Sequence, residues 1–301
     1  MIEVRDFTKR FGDFTAVDGI SFDVREGSIF AFLGPNGAGK STTINTLCTI
    51  QEKTSGELRI AGNDVSRQQD LVRRDIGIVF QETTLDSKLT VAENLRLHCE
   101  LYRVPRAELR GRIDFALDLV DMRDWAKAPV GSLSGGMKRR VEIARGLSHF
   151  PKVLFLDEPT TGLDPQTRAN VWECVRRLQQ RRGTTVFLTT HYMEEAEICD
   201  QVSIIDHGRI VAHDTPGNLK RRHTSTTVRI HTDSPSELEA LLADLGMAHS
   251  TQGDCVTAHA VETRDVVALV ARFGPRIRDL EVAKGTLNDV FIALTGKEIR
   301  E

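Results

Sequence analysis

The sequence lacks any run of apolar residues long enough to cross a membrane. None of its 301 residues lies in a stretch near the roughly 18–20 apolar residues that a transmembrane helix needs. The first residues, MIEVRDFTKRFG, also lack the apolar core of a signal peptide. We therefore expect a protein that is soluble by itself, so that any membrane-spanning segments with which it works must come from another chain.

Strong charge and patterned cysteines are missing as well. The net charge is only −3, so the composition does not point to nucleic acid as a partner. The five cysteines are odd in number and scattered without the spacing of metal ligands: Cys48, Cys99, Cys174, Cys199 and Cys255. This usage is typical of buried free thiols in a reducing compartment.

Length and charge distribution indicate two domains. Residues 223–301 contain 8 Lys and Arg against 12 Asp and Glu, whereas residues 1–222 contain 32 and 31. We expect the boundary near Arg222. Beyond it the pattern predicts the order β-α-β-β-α-β-α, which resembles a small ferredoxin-like α+β domain without a catalytic cluster. The predicted elements lie at about 226–231, 235–245, 246–250, 254–259, 262–273, 277–283 and 286–295.

A glycine-rich loop follows a predicted buried strand, SIFAFL, at residues 28–33. It matches the phosphate-loop pattern G-x-x-x-x-G-K-[ST]. Glycines let successive N–H groups face one anion, and the helix that follows adds its positive end. Lys40 would bring a charge to the terminal phosphates, and Ser41 a hydroxyl to Mg²⁺. A glycine turn that merely caps a helix is the alternative. The loop consists of Gly34, Pro35, Asn36, Gly37, Ala38, Gly39, Lys40, Ser41 and Thr42.

Further strands are predicted at 2–8, 20–24, 57–60 and 76–80, with a polar turn between the first two. Gln81 follows the last of these, where an isolated Gln is usually a solvated loop residue. Residues 84–130 then become helical, and Thr90–Glu93 forms a capping box that opens the first helix. These helices have two possible interpretations, a docking surface for another protein or ordinary amphipathic packing. The sequence alone favours packing.

The stretch at residues 132–165 reads SLSGGMKRRVEIARGLSHFPKVLFLDEPTTGLDP. Ser134 is a predicted N-cap, and Gly135 and Gly136 leave the first helical N–H groups open, so a second anion-binding helix start is expected. We expect the basic residues 138–140 to form a solvated face of this helix.

The same stretch ends in acidic residues. A buried strand at 153–156 leads into Asp157 and Glu158, and emerging carboxylates of this kind need a metal or hydrogen bonds to compensate them. Asp157 would hold Mg²⁺ through water, and Glu158 would polarise an attacking water. Asp164 is predicted to cap the next helix, and the strand after that helix ends at His191.

These motifs, in this order, resemble the ATP-binding subunit of an ABC transporter over about residues 1–220. Walker A is Gly34–Thr42, the Q-loop residue is Gln81, and the switch histidine is His191. The signature is Leu133–Met137, Walker B is Val153–Asp157 followed by Glu158, and the D-loop contains Gly162–Asp164. The tail LNDVFIALTGKEIRE, residues 287–301, resembles more narrowly the daunorubicin-resistance type, whose ATPase serves a separately encoded ABC-2 permease.

The resemblance implies an α/β P-loop NTPase with a RecA-like core, an antiparallel β-subdomain and a helical subdomain at about 84–150. It implies ATP and Mg²⁺ as ligands, with Ser41, Gln81 and Asp157 at the metal. Two ATPase copies would pair head to tail, so that Ser134, Gly135, Gly136 and Asp164 bind the ATP of the partner copy.

The resemblance also assigns roles to single residues. Phe11 would stack on adenine. The alternative is that Phe11 is a packed aromatic of the turn, since nearby Phe14 could take either role. Gln81 would lie near Mg²⁺ and the permease, and His191 would sense the γ-phosphate. Met137 stands where the family most often has Gln, and we expect at most a modest effect on rate.

The expected function is therefore ATP hydrolysis, with Glu158, His191 and Gln81 as catalytic residues, coupled to export at the cytoplasmic face of the membrane. A drug, an antibiotic or another amphipathic compound is the implied cargo, with lipids and polysaccharides open. A soluble ABC ATPase acting on ribosomes or DNA is the alternative, and a non-hydrolysing regulatory module is a third.

Overall fold

The computed structural model describes residues 1–259 and 263–296. These divide into two compact units, Met1–Pro216 and the described residues from Gly217 onward. The division lies a few residues before the boundary expected near Arg222, and residues 216–223 form a helix. Residue 262 of the helix predicted at 262–273 and residues 297–301 of the tail motif lie outside the described residues.

The first unit contains two sheets and the helices around them. In chain order its elements are β1 (Ile2–Phe11), β2 (Phe14–Val24), β3 (Ile29–Leu33), α1 (Lys40–Leu47), β4 (Ser55–Ile60), β5 (Asn63–Asp64), α2 (Gln69–Asp75), β6 (Ile76–Val79), α3 (Val91–Leu101), α4 (Arg106–Leu119), α5 (Gly135–Leu147), β7 (Val153–Asp157), α6 (Pro165–Arg182), β8 (Thr185–Thr190), α7 (Met193–Glu197), β9 (Gln201–Asp206) and β10 (Arg209–Asp214). The next helix, α8 (Pro216–His223), begins at the division between the units.

The central sheet has the strand order β10-β9-β3-β8-β7-β6 and is parallel except for β10. A second, antiparallel sheet has the order β2-β1-β4-β5. Aromatic side chains join the two sheets: Phe22 of β2 lies 5.4 Å from Phe30 and 6.1 Å from Phe187 between ring centroids. This buried cluster includes side chains of β3, β7 and β8, and parallel α/β sheets place their ligands at the carboxyl ends of such strands. The predicted α/β class is confirmed.

The prediction of a long polar turn between the first two strands is wrong, because β1 and β2 extend into that stretch. Only Gly12 and Asp13 separate the strands, and Phe11 pairs with Phe14 across them. Register shifts within the β1–β2 ladder interrupt the alternation of buried and exposed side chains. The alternation of apolar and polar residues is lost there, although both strands continue.

The helices predicted after residue 84 are present, as α3 and α4. The capping box closes as expected, since the Glu93 N–H donates to Thr90 Oγ1 at 3.3 Å and the Thr90 N–H to Glu93 Oε2 at 2.8 Å. Leu97 and Leu101 of α3 remain exposed. In the described parts of the chain, no helix combines the length and the apolar character needed to span a membrane.

The second unit continues from α8 with a small α+β fold. Its further elements are β11 (Thr227–Thr232), α9 (Pro235–Asp244), β12 (His249–Gln252), β13 (Cys255–His259), α10 (Thr263–Phe273), β14 (Ile277–Ala283) and α11 (Leu287–Thr295). The sheet is antiparallel throughout in the order β12-β13-β11-β14. This order places β13 between β11 and β12, which is the split βαβ arrangement that the element order predicts.

Candidate nucleotide-binding site

The glycine-rich loop lies between the carboxyl end of β3 and the start of α1, as predicted. Close backbone approach explains two of its glycines. A Cβ on Gly34 would lie 2.3 Å from the carbonyl oxygen of Ile205, and one on Gly39 would lie 2.7 Å from that of Ala16. Gly39 also has a φ of 104°, which side chains disfavour. The loop lines a cleft of about 660 Å³, large enough for a nucleotide.

Lys40 is buried at the base of this cleft, with 4% of its surface exposed. Its ammonium donates to the carbonyl oxygens of Gly34 at 2.8 Å and Pro35 at 3.1 Å, and it lies 3.3 Å from Glu158 Oε1. Burial lowers the pKa of Lys40, and the nearby carboxylate of Glu158 opposes that shift. The result is a positive charge held beside the phosphate loop, where a bound phosphate would be a further partner for it.

Ser41 and Asp157 supply oxygen atoms at the same place. Ser41 Oγ lies 3.5 Å from Asp157 Oδ1, which also accepts a hydrogen bond from the Thr189 hydroxyl. Burial raises the pKa of Asp157, against the hydrogen bond from Thr189, and the charge of Glu158 adds to the rise. A hydroxyl and a carboxylate are ligands that Mg²⁺ prefers, and a bound cation would keep Asp157 ionised.

This donor set is incomplete for a metal held by protein alone. Within residues 1–259 and 263–296, no cluster of three or more His, Cys, Asp and Glu side chains could hold a metal ion. Mg²⁺ usually keeps several waters and takes further oxygens from substrate phosphates. The residues present therefore fit a metal that arrives with a nucleotide.

Glu158 lines the cleft in a strained backbone conformation, with a φ of +46°. Its N–H donates to the carbonyl oxygen of Thr189 at 3.2 Å. Its carboxylate lies between Lys40 and His191, with Oε1 3.3 Å from Lys40 Nζ and Oε2 3.3 Å from His191 Nδ1. Burial raises the pKa of Glu158, but Lys40 and His191 outweigh it and leave the pKa below its ordinary value. The carboxylate is therefore ionised and able to accept a proton.

Three other predicted residues line the cleft at its more open parts. Phe11 and Phe14 face it with 46% and 65% of their surfaces exposed, and Lys9 Nζ lies 4.8 Å from the centre of the Phe11 ring. Both phenyl rings are available to stack on a base, so the geometry leaves the alternative open. Gln81 lies just beyond β6, is exposed and also lines the cleft.

Sequence reasoning missed three lining residues, Ala16, Thr161 and Tyr192. The Thr161 hydroxyl donates to Glu158 Oε2 at 3.3 Å. The Tyr192 ring lies 4.1 Å from that of His191 between centroids. For Thr161 and Tyr192, sequence position was the signal that could have predicted a place in the cleft. Thr161 follows the acidic end of the strand closely, and Tyr192 is the residue after His191.

Four predicted residues form a separate cluster that does not line the cleft: Ser134, Gly135, Gly136 and Asp164. Ser134 Oγ caps α5 by accepting from the Met137 N–H at 3.3 Å. Asp164 caps α6, accepting from the N–H of Thr167 at 3.0 Å and from its hydroxyl at 2.6 Å. A Cβ on Gly136 would lie 2.3 Å from Thr167 Cγ2, so the two helix starts are in direct contact.

The prediction that residues 138–140 form a solvated face is wrong for Arg139. Lys138 and Arg140 are partly exposed, but Arg139 is 7% exposed and directed inward. Its guanidinium donates to the carbonyl oxygen of Pro159 at 2.6 Å and forms an ion pair with Glu142 at 3.1 Å. A run of three basic residues predicts a solvent-exposed face, but the helical turn directs the side chain of the middle residue toward the end of β7.

Comparison with known proteins identifies the family. Residues 17–161 match the family model described as ABC transporter. The Nod factor export ATP-binding protein I of Ralstonia nicotianae is 39% identical and covers 100% of this chain and 95% of its own length. The daunorubicin resistance ATP-binding protein DrrA3 of Streptomyces coeruleorubidus is 37% identical and covers 99% of this chain and 97% of its own length.

A solved structure agrees with the sequence relatives. It is the dimeric, post-hydrolysis state of the ATP-binding cassette MJ0796 bound to ADP and Pi, which matches with a TM-score of 0.64 at 29% identity. It covers 71% of this chain and 98% of the cassette. The resemblance inferred from the motifs, including that to the daunorubicin-resistance type, is confirmed. The chain belongs to the ABC transporter family and is one of its ATPase subunits.

Proposed function

We propose that this chain binds and hydrolyses ATP with Mg²⁺ and couples that hydrolysis to export through a separately encoded membrane permease. The position of the Glu158 carboxylate is the observation on which the proposal rests. An ionised base 3.3 Å from both Lys40 and His191, beside a phosphate loop, has the geometry needed to activate a water against a terminal phosphate.

Different residues of the cleft would bind the phosphates, hold the metal and accept the proton. The loop from Gly34 to Thr42 would hold the phosphates through N–H groups and Lys40. Ser41, Asp157 and Gln81 would hold Mg²⁺, which neutralises phosphate charge when bound. When Lys40 binds the γ-phosphate, its ammonium stabilises the Glu158 carboxylate less strongly. The pKa of Glu158 therefore rises toward its ordinary value. The carboxylate becomes a better base once substrate is bound, and His191 is placed to sense the γ-phosphate.

The separate cluster is best explained by a second copy of the ATPase. Ser134, Gly135, Gly136 and Asp164 would contact the ATP held in the partner copy, head to tail. Two features support this: the cluster lies outside the cleft of its own chain, and the similar cassette bound to ADP and Pi is a dimer. A homodimer or a pair of related ATPase subunits satisfies this arrangement.

The partner in the membrane would be a permease of the ABC-2 type, and the ATPase would be peripheral on the cytoplasmic face. The helical subdomain at about 84–150 and Gln81 are the proposed contact, and exposed Leu97 and Leu101 on α3 offer apolar surface for it. The two relatives above are named for export and for drug resistance, which is evidence against action on ribosomes or DNA. The proposed cargo is a drug, an antibiotic or another amphipathic compound.

The decisive variant for this function is Glu158→Gln. Loss of the base should reduce ATP turnover about 100- to 10,000-fold while leaving ATP binding intact, so that an ATP-bound dimer accumulates on size-exclusion chromatography. Glu194→Gln, which changes a carboxylate on α7 that is 89% exposed, is the matched control and should behave as wild type. Wild-type turnover in Glu158→Gln would refute the assignment.

A further inference from the structure

The inward-facing Arg139 contacts the strand end that contains the proposed base. Its guanidinium donates to the main-chain carbonyl oxygens of Asp157 and Glu158, each at 3.3 Å, and of Pro159 at 2.6 Å. Three successive carbonyl groups thus converge on one side chain. A buried guanidinium is well suited to this arrangement because its donors form a rigid planar fork.

These carbonyl groups belong to the strained part of the backbone. Glu158 has a φ of +46°, a conformation that costs on the order of 1–3 kcal/mol for a residue with a side chain and persists only where its surroundings enforce it. On one side, Thr189 accepts the Glu158 N–H. On the other, Arg139 binds the carbonyl oxygen of Glu158 and those of both neighbours. Arg139 therefore helps to hold the conformation that directs the Glu158 carboxylate into the cleft.

The same face of α5 also binds the segment that contains Gln81. Arg139 donates to the carbonyl oxygen of Phe80, directly before Gln81. Glu142 Oε1 accepts the N–H of Thr84 at 2.7 Å, and Arg145 donates to the carbonyl oxygen of Thr84 at 3.1 Å. The segment 80–84 is consequently attached at both ends to α5, and Arg139 joins one of those ends to the Glu158 turn.

We propose that Arg139 is a positioning residue, which fixes the strained turn at Glu158 and connects it to the Gln81 segment. The proposal rests on the proposed function, since it concerns the base of that reaction. Besides the pairing of β6 with β7, this guanidinium is a side-chain route by which a displacement of the Gln81 segment reaches the hydrolytic carboxylate. Arg139 does not itself line the cleft and contacts only the main chain of Glu158, so its effect on hydrolysis is indirect.

The test requires a variant that removes the fork without leaving a buried carboxylate unpaired. Arg139→Met combined with Glu142→Gln meets this condition, because glutamine keeps an acceptor for Thr84 while losing its charge. Arg139→Lys is a second variant that keeps the charge beside Glu142 but cannot bind several carbonyl groups in one plane. Arg177→Met is the matched control, because Arg177 pairs with Asp121, outside the cleft.

We expect the turnover number of the double variant to fall about 100-fold, since a small misplacement of a catalytic group has effects of this size. Equilibrium ATP affinity and the fraction of protein that binds ATP should change less than twofold. In Arg139→Lys the turnover number should fall about tenfold, again with little change in ATP affinity. Arg177→Met should match wild type in both measurements. A turnover number within threefold of wild type in both Arg139 variants would overturn the proposal. Equal losses in turnover and in ATP binding would do so as well, because they indicate general damage to the fold.

Glu158→Gln, measured in the same assay, separates this inference from the proposed function. If Glu158→Gln is inactive while the Arg139 variants turn over normally, only the positioning role fails. If Glu158→Gln turns over as wild type, the assignment of the base fails and the role of Arg139 fails with it.

Discussion

Two glycine-rich helix starts occur in the first unit, at Lys40 of α1 and at Gly135 of α5, and their surroundings differ. The first lies in a cleft beside a buried ammonium and two carboxylates. The second is capped by the neutral hydroxyl of Ser134 and contacts α6 near the carboxylate of Asp164. Only the first combines a helix N-terminus with a fixed positive charge. This difference supports the proposal that the first start captures ATP and that the second completes a site filled by another copy.

The largest expected effect is at the first start. Lys40→Met removes the buried charge, and we expect ATP hydrolysis to fall about 100- to 1,000-fold, as on loss of a charge-stabilising donor. Lys53→Met is the control, because its ammonium also donates to a carbonyl oxygen, that of Gly56, but does not line the cleft. Steady-state ATPase measurements compare the two, and equal activities would contradict the role of Lys40.

At the second start, Gly136→Ala should weaken the ATP-dependent dimer by at least about tenfold without changing ATP affinity of a single copy. The added methyl would meet Thr167 Cγ2 at 2.3 Å, and Asp164 holds the Thr167 hydroxyl so that the side chain cannot easily turn away. Thr167→Ser removes the opposing methyl and keeps the hydroxyl. The double variant should therefore dimerise again in analytical ultracentrifugation, and dimerisation of Gly136→Ala itself at the wild-type level would contradict the account.

Three aromatic rings pack together just beyond the end of α5, those of His98, Tyr102 and His149. His149 stacks on Tyr102 at 3.8 Å and Tyr102 contacts His98 at 4.6 Å between centroids. Burial lowers the pKa of His98 to about 3 and that of His149 to about 4. Below about pH 6.5 the unfolded chain takes up protons that the folded chain does not, so stability falls as the pH decreases. The loss should reach about 2 kcal/mol per histidine between pH 6.5 and pH 5.

Chemical denaturation at a series of pH values measures this effect. His98→Phe should reduce the slope, since the phenyl ring keeps the stacking and does not titrate. His207→Phe, at an exposed histidine, should leave the slope unchanged. Parallel slopes for wild type and His98→Phe would show that His98 is charged in the folded protein.

The smallest effect is expected at the adenine end of the first site. Phe11→Ala should weaken ATP affinity about three- to tenfold, the size of one aromatic contact, and Phe14→Ala less than twofold. Titration calorimetry with a non-hydrolysable ATP analogue compares them. The reverse order would assign the stacking to Phe14, and two unchanged affinities would exclude both rings.

Local spacing explains why much of the first site could be predicted. The phosphate loop, the caps at Ser134 and Asp164 and the capping box at Thr90 are each encoded within a few consecutive residues. The element order of the second unit was also predictable, because alternation and turn residues are regular there. Where bulges disturb alternation, as in β1 and β2, the strand ends were not predictable.

Contacts between distant residues account for what the sequence did not reveal. Arg139 lies in a basic run, and nothing local indicates that residues 80 and 157–159 approach it. The contact of Gly136 with Thr167 likewise depends on how α5 and α6 meet. The orientation of Glu158 depends on its unusual φ, which no residue preference predicts.

The most direct test of the two helix starts mixes one variant of each. A Lys40→Met copy keeps an intact second helix start, and a Gly136→Ala copy keeps an intact first one. If the two starts complete one site across a dimer, the mixture contains dimers with one intact site and hydrolyses ATP faster than either variant alone at the same total protein concentration. A mixture no faster than its separate components would contradict the account, because it would place both helix starts at the ATP of their own chain.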